Sequence, residues 1–180
     1  MRHTTSIPLK FSIFALVKRI LFILFLGILA LSSAKDPRTD YISRYSKLAV
    51  SEMQRTGVPA SITLAQGILE SASGLSELSV KANNHFGIKC HKSWTGGKTY
   101  HNAEKGKECF RVYKTPEESF RDHSDFLRYQ DRYKFLFDLK KGDYKGWANG
   151  LRKAGYATDP AYPAKLIKII EDYSLYRFDD

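Results

Sequence analysis

Cysteine is scarce in this chain, with only Cys90 and Cys109 among 180 residues. Together with His85, His91 and His101 they fit no recognised zinc-ligand spacing, so no metal and no cofactor are expected. Internal repeats and low-complexity tracts are missing beyond the N-terminal segment, which excludes a solenoid or repeat array. No helix-turn-helix, zinc-finger or RNP-type aromatic motif goes with the formal charge of +10, so nucleic acid is not an expected partner. The charge is read as steering toward an anionic partner, such as a bacterial wall or outer envelope, or as solvated surface.

Long apolar runs are also lacking, apart from one short stretch. Ile20–Leu31 spans twelve residues, fewer than the roughly 20 that cross a bilayer as a stable helix. Lys18 and Arg19 precede it and Ser32-Ser33-Ala34 follows, the layout of a secretory leader cleaved near Lys35. Phe11 to Val17 would lengthen the apolar part if the segment instead stays as an anchor. Residues 1–34 are therefore read as a leader or N-terminal anchor, and 35–180 as one domain large enough for a real core. Removing 1–34 takes away Arg2, Lys10, Lys18 and Arg19 and no acid, lowering the charge from +10 to +6. The expected location is exported: periplasm or cell envelope, or secreted, with membrane contact only through the N-terminal segment. In an oxidising compartment Cys90 and Cys109 are expected to form a disulfide, stabilising by about 3 kcal/mol through restriction of the unfolded chain.

The residues that are present describe helices around a small sheet. Ile42, Tyr45, Leu48, Ala49 and Met53 recur at helical spacing up to Gly57. Pro59 opens a second helix expected to reach about Ser73, with Gly74 as its stop. One face of that helix is polar or small (Thr63, Gln66, Gly67, Glu70 and Gly74), which implies room for a ligand beneath Glu70, while Ile62, Leu64, Ala65, Ile68, Leu69 and Ala72 bury the rest. Residues 94–113 alternate as in a β-hairpin, with turns at Gly96-Gly97 and Lys105-Gly106. Thr115-Pro116-Glu117-Glu118 caps a helix carrying Phe120, His123, Phe126 and Leu127. Further helices carry Trp147 and Leu151, stopping at Gly155, and then Leu166, Ile169, Ile170 and Tyr173.

Glu70 is the candidate for chemistry. A carboxyl group at the end of an apolar helix loses solvation, which penalises its ionised form and raises its pKa, as a general acid near neutral pH requires.

Four segments then resemble, in order, glycoside hydrolase family 73, the glucosaminidases of autolysins and flagellar rod-cap hydrolases. They are Ala65-Gln66 with Leu69-Glu70-Ser71; Asn83-Asn84-His85-Phe86-Gly87-Ile88-Lys89; Phe110-Arg111-Val112-Tyr113 leading to Glu117-Glu118-Ser119-Phe120-Arg121-Asp122-His123; and Gly155-Tyr156-Ala157-Thr158-Asp159-Pro160-Ala161-Tyr162. The resemblance implies a lysozyme-like α+β fold, mainly helical with a small β-hairpin lobe. It also implies cleavage of the β-1,4 bond between N-acetylglucosamine and N-acetylmuramic acid in peptidoglycan. By position, Glu70 matches the general acid, Glu104 on the hairpin is the best match for a second carboxylate with Glu108 as competitor, and Tyr156 matches a tyrosine near the scissile bond. Gln66 is expected to orient the carboxyl or the sugar. Asn83, His85 and Phe86 are expected on the loop facing Glu70, and Trp94 and Tyr100 as stacking surfaces for sugar rings. If neither glutamate serves, the substrate's own N-acetyl group is expected to assist. Two alternatives remain: a lytic transglycosylase of similar fold, and a non-catalytic wall-binding protein.

Overall fold

The computed structural model of the chain describes residues 36–103 and 106–180. The N-terminal segment read as leader or anchor, and Glu104, lie outside them. Asp36 caps the first helix, α1 (Pro37–Thr56), by accepting from Arg38 N at 3.1 Å, and Gly57, at φ +84°, closes it in the left-handed conformation that glycine adopts without strain. Next come α2 (Ala60–Glu70) and α3 (Glu77–Ala82), strands β1 (Gly97–Ala103) and β2 (Gly106–Val112), and α4 (Pro116–Tyr129). A 3-10 helix (Asp131–Asp138), α5 (Tyr144–Lys153), α6 (Tyr162–Asp172) and a final 3-10 turn (Leu175–Phe178) complete the described order.

The centre is α2. Nine of its eleven residues are buried, as befits a helix apolar on nearly every side, and α1, α5, α6 and the final 3-10 turn pack around it. Pro59 supplies no side-chain cap. The buried Asp179 carboxylate does so instead, accepting from Ser61 N at 2.8 Å and Ser61 Oγ at 2.6 Å. The chain's C-terminal turn is thereby fastened to the start of the core helix.

Two expectations about α2 are corrected. The helix ends at Glu70 rather than near Ser73, because Ala72, Ser73 and Gly74 all adopt positive φ (50°, 60° and 79°). Ser71 locks that turn, its hydroxyl donating to Gly67 O and accepting from Gly74 N. Nor do the small residues leave room for a ligand below Glu70: a Cβ on Gly67 would lie 2.3 Å from Tyr41 Oη, so α1's buried tyrosine fills that space.

The strands form one antiparallel hairpin with Gly97 opposite Val112 and Ala103 opposite Gly106. Residues 88–90 lie along its outer strand through Arg111 N→Ile88 O (3.0 Å) and Cys90 N→Cys109 O (2.9 Å), and the Cys90–Cys109 disulfide closes this contact. Arg111 joins the hairpin to α4, donating to both Asp122 oxygens at 2.9 and 2.7 Å. The domain is thus a mainly helical lobe with a small hairpin lobe beside it. Among the described residues no helix is long and apolar enough to cross a membrane.

Candidate active site

Glu70 is the last residue of α2. It opens into a cleft of about 530 Å³ whose walls come from the loop 86–89, His91, Phe110 of β2, Phe126, Arg132 and Tyr133, and the turn at Gly155–Ala157. The carboxyl tip meets solvent, yet protein stands around it, and this partial desolvation raises its pKa above the ordinary carboxylate value. Its position at the carboxyl end of a helix acts in the same direction, since the helix dipole opposes negative charge there. One contact opposes both: Tyr162 OH donates to Glu70 Oε1 at 3.0 Å and favours the ionised form. The rise persists despite it.

Tyr162 is the first residue of α6. Asp159 shapes the turn that precedes it, accepting from Ala161 N at 2.8 Å and pairing with Lys165 at 2.7 Å, while its carbonyl receives Arg152 Nε at 3.1 Å. The same turn carries Tyr156, whose ring stacks on Tyr162 (5.8 Å between centroids) and meets His123 edge-on. Burial and the neighbouring Glu70 charge push the Tyr156 phenol well above its usual pKa, so it is a proton-bearing donor.

Behind Glu70 lies a buried polar chain. Gln66, one turn earlier on α2, donates from Nε2 to Tyr162 OH at 2.9 Å, and its Oε1 is 3.1 Å from His123 Nε2 of α4. Both Gln66 and His123 are fully buried. Desolvation lowers the His123 pKa to about 3, which keeps the ring neutral.

Of the residues singled out in the sequence, Glu70, Phe86 and Tyr156 meet in the cleft wall. Gln66 stands behind Glu70. Asn83, at φ +49°, ends α3, and its amide donates to Tyr113 O and Lys114 O at 3.1 Å each. His85 is buried, its Nδ1 3.2 Å from Tyr41 OH, and desolvation lowers its pKa to about 4. Trp94 braces the hairpin base, donating to Gly97 O at 2.9 Å beneath the Arg111 guanidinium. Tyr100 is 60% exposed on β1, and Glu108 pairs with Lys89 at 2.7 Å. None of these five lines the cleft. Two residues of the site carried no role in the sequence reading, Tyr162 and His123. Tyr162 follows a proline turn, the one local signal available, whereas His123 reads as one more member of the buried stripe of α4.

Among the described residues that line the cleft Glu70 is the one acid, and Lys89 and Arg132 are cations of the same lining. No cluster of metal-ligating side chains occurs among the described residues. A helical lobe and a hairpin lobe flanking a cleft with a desolvated helix-end glutamate define a lysozyme-like domain. Residues 46–175 match the glucosaminidase family, described as mannosyl-glycoprotein endo-beta-N-acetylglucosaminidase, and the chain belongs to that family.

Exo-glucosaminidase LytG of Bacillus subtilis (strain 168) is 39% identical over 154 residues, covering 81% of this chain and 55% of that protein. Peptidoglycan hydrolase FlgJ of Vibrio cholerae is 32% identical over 160 residues, covering 81% and 48%. The chain thus spans about half the length of these curated relatives. Among solved structures, a peptidoglycan hydrolase from Sphingomonas sp. A1 superposes with a TM-score of 0.67 at 31% identity, covering 77% of this chain and 91% of that one. The catalytic domain of the autolysin Auto from Listeria monocytogenes gives 0.68 at 26% identity, covering 98% and 100%.

Proposed function

We propose that the chain is a peptidoglycan hydrolase that cleaves the β-1,4 bond between N-acetylglucosamine and N-acetylmuramic acid, with Glu70 as general acid. The observation that carries this reading is Glu70 itself, a carboxyl of raised pKa at the edge of an open cleft of about 530 Å³. A protonated carboxyl there donates to the glycosidic oxygen as the bond breaks. Tyr156, which retains its proton, hydrogen-bonds the sugar's N-acetyl group, and Phe86 forms the apolar wall beside it. Family membership and relatives whose names are glucosaminidase and peptidoglycan hydrolase support the assignment.

Glu104 is the proposed second carboxylate, acting on water or on the sugar. A second reading, assistance by the substrate's own N-acetyl group, is favoured by the state of the competing carboxylate Glu108, which Lys89 engages at 2.7 Å. Glu104→Gln decides between them: loss of turnover supports the carboxylate, retained turnover the N-acetyl group. Residues 1–34 are the proposed leader or anchor and 35–180 the catalytic domain, working in the envelope or outside the cell. The Cys90–Cys109 disulfide suits that compartment.

The test is digestion of purified peptidoglycan followed by mass spectrometry of the new reducing ends. Reducing N-acetylglucosamine is the expected product, and 1,6-anhydromuramic ends would transfer the chain to the lytic transglycosylases. Glu70→Gln is expected to abolish product, and a variant as active as the parent protein would overturn the mechanism.

A further inference from the structure

We propose that Gln66 and His123 are positioning residues for Glu70: the directed hydrogen-bond relay His123→Gln66→Tyr162→Glu70 holds Oε1 as an acceptor and leaves Oε2 to carry the acid proton into the cleft. This rests on Glu70 being the general acid.

The relay consists of three contacts in series, His123 Nε2 to Gln66 Oε1 at 3.1 Å, Gln66 Nε2 to Tyr162 OH at 2.9 Å, and Tyr162 OH to Glu70 Oε1 at 3.0 Å. A carboxamide has one accepting and one donating end, so the partner at one end fixes what the other end does. With hydrogen on His123 Nε2, Gln66 Oε1 accepts and its NH₂ donates to the tyrosine oxygen. The Tyr162 proton then has one partner left, Glu70 Oε1.

The reverse order has a definite cost. It requires Glu70 to carry its proton on Oε1 and donate it to Tyr162, which turns the acid away from the cleft. It also moves the His123 hydrogen to Nδ1, a fully buried atom without a partner among the described residues. An unpaired buried N–H is the rarer and costlier kind of orphan, so the forward order is preferred. When Glu70 is ionised the reverse order is excluded outright, since two oxygen lone pairs would face each other at the Tyr162 contact.

His123 is suited to hold the relay constant. Its ring lies flat on Phe86 (3.9 Å between centroids, 15°), which fixes its plane, and its neutrality across the working pH range keeps a charge from intruding. Neither Gln66 nor His123 lines the cleft, so neither contacts the sugar. The titratable groups about Glu70 are Tyr162 from α6 and Tyr156 from the preceding turn, and the same cleft is also lined by Lys89, His91, Arg132 and Tyr133.

The test uses the full chain on soluble peptidoglycan glycan strands, comparing Gln66→Met, His123→Leu, His123→Gln and Tyr162→Phe. Breaking the relay is expected to lower kcat about 10-fold or more, a portion of the 10²–10⁴ that general acid catalysis supplies, with KM unchanged. In Tyr162→Phe the alkaline limb of the kcat profile is expected to move up, because Glu70 loses the hydrogen bond that favours its ionised form; in Gln66→Met and His123→Leu, Tyr162 still donates to Glu70, and the effect is read in kcat. His123→Gln, which keeps a donor near Nε2, is expected to recover most of kcat. An unmoved alkaline limb in folded Tyr162→Phe, an undiminished kcat in folded Gln66→Met, or a His123→Gln no better than His123→Leu, would overturn the relay. Should His123→Leu fail to fold, Gln66→Met and Tyr162→Phe decide alone. Glu70→Gln separates the two levels: if inactive while Tyr162→Phe keeps the parent's pH limb and Gln66→Met its kcat, only the relay falls, and if active, the assignment of Glu70 falls as well.

Discussion

Gly67→Ala tests how the site is built, because the packing and the sequence pattern predict opposite results. The added Cβ would lie 2.3 Å from Tyr41 Oη, 3.0 Å from Cζ and 3.1 Å from Cε1, so the ring must retreat by about 1 Å to reach ordinary contact. Tyr41 is buried, packs on Tyr45 at 4.6 Å and meets His85 Nδ1 at 3.2 Å. Overpacking of this kind costs about 1–3 kcal/mol, and weakening the buried tyrosine–histidine contact adds about 1 kcal/mol. The helix-propensity gain of alanine over glycine, about 1 kcal/mol, offsets part of it. The net expectation is a loss of about 1–3 kcal/mol, read as a lower urea midpoint with unchanged slope. Adding Tyr41→Phe removes the atom in closest conflict, so the double variant is expected to lose about 1 kcal/mol less than the sum of the singles. If Gly67 instead kept space for sugar, Gly67→Ala would raise KM and leave stability alone. A variant as stable as the parent protein would refute the packing argument.

Other perturbations have equally definite outcomes. Asp179→Ala removes the distant cap of α2 and strands the amide and hydroxyl of Ser61; a loss of about 1–2 kcal/mol is expected in chemical denaturation. Replacing both Cys90 and Cys109 by serine opens a loop with a sequence separation of 19 and is expected to cost about 3 kcal/mol, visible as a fall in Tm. His85 and His123 are held neutral, with folded pKa values of about 4 and about 3. Because these lie below the unfolded value near 6.5, the unfolded chain binds more protons as pH falls, and stability drops. Each imidazole contributes about 2 kcal/mol of that loss between pH 7 and 5, since folded rings stay neutral throughout this window. Glutamine at both positions is expected to remove this part of the slope; an unchanged slope would show that the rings titrate freely.

Much of the fold was legible because its signals are local. The capped start of α4 at Thr115-Pro116 and the glycine stop of α1 each depend on neighbours a few residues away, whereas β2 forms without the expected alternation, its last five residues all being half-buried. The end of α2 was not legible, because Ala72 and Ser73, not only Gly74, take positive φ, in a turn that Ser71 Oγ locks by bridging Gly67 O and Gly74 N. Asn83 reads in the sequence as a sugar ligand, and its amide reaches 30 and 31 positions onward to Tyr113 O and Lys114 O. Asn84 likewise ties Ile88 and Arg111 together at 3.0 and 2.9 Å. The loop motif therefore builds the junction between lobes, and only its Phe86–Lys89 edge reaches the cleft. No period in the sequence encodes such contacts.

The chemistry of Glu70 follows from a balance that the sequence shows on one side only. An apolar helix predicts desolvation, and desolvation alone would raise the pKa of the carboxyl with no preference between its oxygens. Tyr162 supplies that preference from 92 positions away, at the expense of some acid strength, since its hydrogen bond lowers the pKa that burial raises. An acid poised near neutral pH needs both effects, because one raises its proton affinity and the other limits the rise while fixing where the proton sits. That requirement explains why fully buried polar side chains, Gln66 and His123, lie directly behind Glu70. Apolar replacements there would stabilise the packing more readily than the polar chain does. Their presence makes sense as support for the orientation of Glu70.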